Sequence, residues 1–120
     1  MKKIFTLSTC DTSKEILKTL NLKGFEVKDI KKEKITSKEL DEMKNLSGSY
    51  EAIFSRRSRN YSALGLKDKT LSENEVKNFI LNDYTFLKRP VIIDGKRIFI
   101  GNQKKNIELL SRHFENRNHE

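Results

Sequence analysis

Cys10 is the one cysteine in a chain of 120 residues, and the residues around it are of the kinds that begin helices. Ser8, Thr9, Asp11, Thr12 and Ser13 all favour a helix start, and Ile16, Leu17 and Leu20 then recur at helical spacing. A strand over Lys2 to Leu7, a tight loop and a helix over Thr12 to Leu22 follow from this pattern, with Lys23-Gly24 ending the helix. Cys10 then stands at the helix start, where unpaired N–H groups and the helix dipole favour negative charge. A thiol placed there loses its proton more readily, and the thiolate is the nucleophilic form. The simpler reading is a buried structural cysteine, the commoner fate of a lone thiol. The polar neighbours on both sides favour the reactive one.

The elements that must position Cys10 come next. Phe25, Val27 and Ile30 read as a second strand, with Glu26 and Lys28 alternating against Phe25 and Val27. Strand, helix and strand with short links make a βαβ unit, which predicts parallel pairing. Thr36-x-x-Glu39 and Ser72-x-x-Glu75 are capping boxes. The first predicts a helix over 37–45, broken by Leu46-Ser47-Gly48-Ser49. The second predicts one carrying Val76, Phe79 and Ile80 on one face. Short helical pieces are expected at Tyr50 to Phe54 and at Tyr61 to Leu66, on either side of the basic run Ser55-Arg56-Arg57-Ser58-Arg59-Asn60. Two β-rich runs flank Asp94-Gly95, a strong hairpin signal, and the chain's one proline, Pro90, stands just before the first of them. A last helix over Lys104 to Phe114 turns Ile107, Leu110 and Phe114 inward, and 115–120 reads as a fraying polar tail.

This order is that of a thioredoxin-like α/β domain, 1–114, with a helical insertion at about 36–85. The fold carries its reactive cysteine after the first strand, and a proline, usually with a cis peptide, before the hairpin. Cys10 and Pro90 occupy those places.

Three anchors make the resemblance specific. They are Cys10-Asp11-Thr12-Ser13-Lys14, Ile53-Phe54-Ser55-Arg56-Arg57-Ser58, and Arg89-Pro90-Val91-Ile92-Ile93-Asp94-Gly95-Lys96-Arg97. With them the chain resembles the ArsC/Spx family, the glutaredoxin-dependent arsenate reductases and the Spx-type transcriptional regulators, over nearly its whole length. The resemblance implies a Cys10 thiolate that attacks an oxyanion held by arginines. Arg89 matches the family's arginine-proline site, and Arg57 or its neighbour Arg56 matches the arginine of the insertion. A guanidinium suits that work because its planar donors reach two oxygens of one anion. The N–H groups around Thr12 and Ser13 are placed to hold an anionic oxygen or the thiolate, and the Ser13 hydroxyl can donate to the thiolate from one turn away. For each arginine the simpler reading is a solvated surface charge, least so for Arg89 beside Pro90. The reductases' third arginine has no direct counterpart: Ile100 stands at the best-aligned position and Arg97 three residues earlier. The hairpin and Ser-Arg-Arg-Ser runs look closer to the Spx branch, while Ser13 removes the second cysteine of the C-x-x-C switch that many Spx proteins carry.

Two function classes follow. One is an arsenate reductase-like thiol oxidoreductase, with glutathione or glutaredoxin as external reductant and no bound cofactor. The other is an Spx-like regulator that binds RNA polymerase through its α subunit, with Arg56, Arg57 and Arg59 as contacts. Convergence of Arg57 and Arg89 on Cys10 would favour the enzyme. A lone cysteine cannot close an internal disulfide, and no signal-peptide pattern is evident, so a cytoplasmic location is the simplest expectation. The net charge of +8 suits anionic partners, but the lysines are spread among acids and the aromatics do not interleave with them. Direct DNA binding is therefore not expected. No apolar stretch reaches membrane-spanning length. His113 and His119 lie outside any ligand pattern, so no zinc site is expected and both read as solvated tail residues.

Overall fold

The computed structural model describes residues 1–118. They form two compact units, one of residues 1–31 and 89–118 and one of residues 32–88.

The first unit carries the sheet. Its elements are β1 (Lys2–Thr6), α1 (Asp11–Lys18), β2 (Glu26–Asp29) and, after the second unit's span, the hairpin strands Val91–Asp94 and Arg97–Ile100 and the helix Lys104–Asn118. The strands lie in the order β2, β1, Val91–Asp94, Arg97–Ile100. β1 and β2 run parallel, and the other two pairings are antiparallel, as the sequence predicts. Register explains the core. Ile4 lies opposite Ile92, and Ile92 opposite Phe99, so the three share one face of the sheet. That row packs with Ile16 of α1 and with Leu110 and Phe114 of the last helix, all buried. Each such side chain contributes roughly 1.5–3 kcal/mol by leaving water.

Three local expectations are corrected. The first helix stops at Lys18 rather than Leu22, with Thr19 as its C-cap. The Thr19 hydroxyl donates to the Ile16 carbonyl at 2.8 Å, satisfying a group that a longer helix would have used. Leu20 and Leu22 still pack on the core from the loop. In β2 the burial phase is reversed: Val27 is 53% exposed and Lys28 only 8%. β2 is an edge strand, and an inward-pointing lysine there discourages unwanted strand pairing. The last helix runs on to Asn118, so 115–118 is helical rather than frayed. His119 lies outside the described residues.

The second unit is helical: α2 (Ser37–Ser47), α3 (Arg59–Ala63) and α4 (Glu73–Asn82), with 3-10 turns at Glu51–Ile53, Leu66–Asp68 and Tyr84–Phe86. Both capping boxes form, at Thr36 with Glu39 and at Ser72 with Glu75. Gly48 ends α2 at φ 100, a left-handed conformation that favours glycine. Phe54 stacks on Phe86, which also meets Phe79, while Tyr61 meets Phe54 edge-on. Glu73 accepts the Tyr50 and Glu51 N–H groups at 2.7 and 3.2 Å, capping the short turn from a distant element. Tyr50 donates to Asp41 at 2.6 Å, and Lys77 pairs with the same carboxylate at 2.9 Å.

In this order the hairpin strands are β3 (Val91–Asp94) and β4 (Arg97–Ile100), and the last helix is α5 (Lys104–Asn118).

Candidate functional site

Cys10 is the N-cap residue of α1, with extended backbone at φ −95 and ψ 104. Its own N–H donates to the Leu7 carbonyl at 2.9 Å, and its carbonyl accepts from Lys14 at 3.1 Å. The thiol is thereby fixed where β1 hands over to the helix, half-buried and not in a disulfide. Ser13, three residues on, is fully buried, and its hydroxyl donates to Cys10 Sγ at 3.3 Å. A serine hydroxyl with no exposure must find an acceptor, and the sulfur is that acceptor.

Several influences act on the thiol at once. Burial, the largest, pushes its pKa up. The Ser13 hydroxyl, the Ser13 N–H, the Arg89 charge and the Thr12 N–H all pull it down. Together they win, and the thiol lies below its ordinary range. The two N–H groups favour the charge without making a complete capping hydrogen bond to the sulfur.

Arg89 immediately precedes β3, and the Arg89–Pro90 peptide is cis. Pro90 is buried and Arg89 half-buried. The Arg89 Nη1 atom is buried without a hydrogen-bond partner. A buried guanidinium nitrogen lacking an acceptor is costly unless an anion completes it. The loop beyond β4 steadies this segment. Gly101 N–H donates to the Pro90 carbonyl at 2.8 Å, and the Asn106 side-chain amide donates to the Gly101 carbonyl at 2.6 Å.

Arg56 and Arg57 belong to the second unit and are exposed, with Arg56 paired to Glu51. Arg97 is exposed, and its guanidinium lies over the Phe99 ring at 5.4 Å. In the strand register Arg97 lies opposite Asp94 at the turn end of the hairpin, whereas Pro90 adjoins the other end. His113 is corrected as well: it is not a solvated tail residue. Its Nε2 lies 2.8 Å from Asp94 Oδ2, and its ring packs against Phe99 and Phe114. The helix continues past it, so position 113 turns toward the sheet. Sequence reasoning also missed Gly101 and Asn106, because a side-chain amide bonded to a backbone carbonyl five residues away leaves no pattern in composition. Among the described residues no group of three or more His, Cys, Asp or Glu could hold a metal ion. No described helix is long and apolar enough to cross a membrane.

The global transcriptional regulator Spx of Lactiplantibacillus plantarum is 28% identical over 101 residues, covering 83% of this chain and 76% of its own. The solved arsenate reductase from Vibrio cholerae superposes with a TM-score of 0.74 at 18% identity, over 92% of this chain and 95% of its own. An arsenate reductase (ArsC) related protein from Brucella melitensis gives 0.68 at 20% identity, over 90% and 92%. At these identities the structural likeness shows a shared thioredoxin-like fold. Residues 5–110 match the ArsC family, a span that runs from the end of β1 through Cys10 and Arg89 to Leu110 in the first half of α5, and the chain belongs to that family.

Proposed function

We propose that the protein is a one-cysteine thiol oxidoreductase of the arsenate reductase kind, with Cys10 as nucleophile and Arg89 as the anion-holding residue. The observation that carries this reading is the pairing of two features in one unit. A thiol is lowered by a buried serine hydroxyl and an arginine, and that arginine keeps a buried, unpartnered nitrogen. An oxyanion drawn to Arg89 supplies the missing acceptor and brings its central atom toward Cys10 Sγ. The thiolate forms a bond to the central atom and displaces one oxygen, which leaves as water once protonated. The Thr12 and Ser13 N–H groups stand beside the negative charge as it moves. With no second cysteine in the chain, the adduct is resolved by glutathione or glutaredoxin. Oxidation of two external thiols to a disulfide supplies the two electrons that reduce the central atom. A cytoplasmic setting, where such thiols are kept reduced, fits this cycle.

The test is arsenate turnover by purified protein with glutathione and glutaredoxin, read as arsenite formed. Wild type is expected to be active, Cys10→Ser inactive, and Arg89→Ala to lose mainly arsenate affinity. Activity retained by Cys10→Ser would end this reading.

The Spx relative supports a second reading. Arg56, Arg57 and Arg59 are exposed, as contacts to a partner would be, and the RNA polymerase α subunit is the partner the family suggests. Binding to that subunit in a pull-down, lost on Arg57→Glu with Cys10 intact, would establish it.

A further inference from the structure

We infer that Asn106 is a positioning residue for Arg89, acting through Gly101 and Pro90. This rests on the reading of Arg89 as the anion-holding residue. The geometry is a short relay within the first unit. The Asn106 amide donates to the Gly101 carbonyl at 2.6 Å, and the Gly101 N–H donates to the Pro90 carbonyl at 2.8 Å. Gly101 is buried and holds φ 84, a left-handed conformation that costs an ordinary residue and comes freely to glycine. Both peptide faces of Gly101 are therefore committed, one to α5 and one to the arginine-proline segment.

Arg89 needs such support. Its buried Nη1 has no acceptor, so nothing fixes the guanidinium at that atom before an anion arrives. Its direction depends on the backbone that carries it. β3 begins only at Val91, and the Gly101–Pro90 bond extends the hairpin ladder one step beyond the Val91–Ile100 pair. Asn106 locks the far side of that step. It stands in the first turn of α5, where alanine is a better helix former, so Asn106→Ala removes the amide without weakening the helix. Without it the Gly101 carbonyl gains freedom, the Pro90 carbonyl loses a fixed donor, and the Arg89 guanidinium samples more orientations.

Two readouts separate this inference from the reading beneath it. The first is the Arg89 side-chain Nε–Hε resonance. Asn106→Ala is expected to move it and to speed its exchange with solvent. A resonance unmoved in position and exchange would overturn the relay, whatever Arg89 does. The second is the pH midpoint of Cys10 alkylation. Asn106→Ala is expected to raise it less than Arg89→Ala does, and to raise it no further in the Arg89→Ala background. Equal increments in both backgrounds would show Asn106 acting independently of Arg89 and would also overturn the relay. Gly101→Ala, which strains the same link through the backbone, is expected to follow Asn106→Ala in both measurements. An Arg89→Ala midpoint equal to wild type would instead remove Arg89 from the site, leaving the relay to stand or fall on the resonance.

Discussion

At the scale of single residues, Ser13 is the most informative side chain after Cys10 itself. It is fully buried, and its hydroxyl donates to a sulfur rather than to a backbone carbonyl. A hydrogen bond to the charged form of a group favours that form, and the Ser13 hydroxyl is the strongest of the influences that lower Cys10. Ser13→Ala is therefore expected to raise the Cys10 midpoint more than Arg89→Ala does, read from the pH dependence of thiolate ultraviolet absorbance. The Arg89 effect should shrink with added salt if the site is open to solvent, whereas the Ser13 effect should not. Equal salt sensitivity would mean that the serine acts only through a general field. The residue types at 10, 13 and 89 were legible as chemistry because they match a known arrangement in order. Their support at 101 and 106 was not, because it depends on one left-handed glycine and one side-chain-to-backbone bond.

At the scale of elements, local signals and outcomes agree wherever the signal is itself a structural mechanism. Thr36 accepts the Glu39 N–H at 3.1 Å, and the Glu39 carboxylate accepts the Thr36 N–H at 2.9 Å. Thr36→Ala should accordingly cost about 1 kcal/mol of unfolding free energy, measured by urea denaturation. No loss would mean that α2 is held by tertiary packing alone. The hairpin formed where Asp94-Gly95 pointed, with Gly95 at φ 62. Disagreements fall where tertiary placement decides. Val27 alternates correctly for a strand, but whether an edge residue is covered depends on what lies beyond the edge. The first helix ended early because a threonine hydroxyl offered its last turn a partner. His113 lay near the C-terminal end of the sequence, yet the helix carries it onto Phe99 and Asp94.

At the scale of the whole molecule, the chain joins a sheet-bearing unit that holds the thiol to a helical unit with its own buried cluster. The helical unit has an acid-sensitive bond of its own. The Lys77 and Tyr50 hydrogen bonds hold the Asp41 carboxyl below its ordinary pKa. A depressed carboxyl contributes stability that is full above the unfolded value of about 3.9 and is lost as pH falls through the lower folded value. Asp41→Asn should thus flatten the acid limb of a stability–pH curve while changing its course little above pH of about 6. An unchanged acid limb would remove Asp41 from the acid response. The net charge of +8 favours the approach of anions of any kind, so affinity for an oxyanion alone would say little about the thiol. The direct measurement is the rate of Cys10 alkylation as a function of pH, in wild type and in Arg89→Ala, beside a model thiol whose midpoint is about 8.5. The account predicts a wild-type midpoint below that of the model thiol and an upward shift in the mutant. A wild-type midpoint at or above the model thiol would contradict it, leaving Cys10 a structural cysteine at the start of a helix.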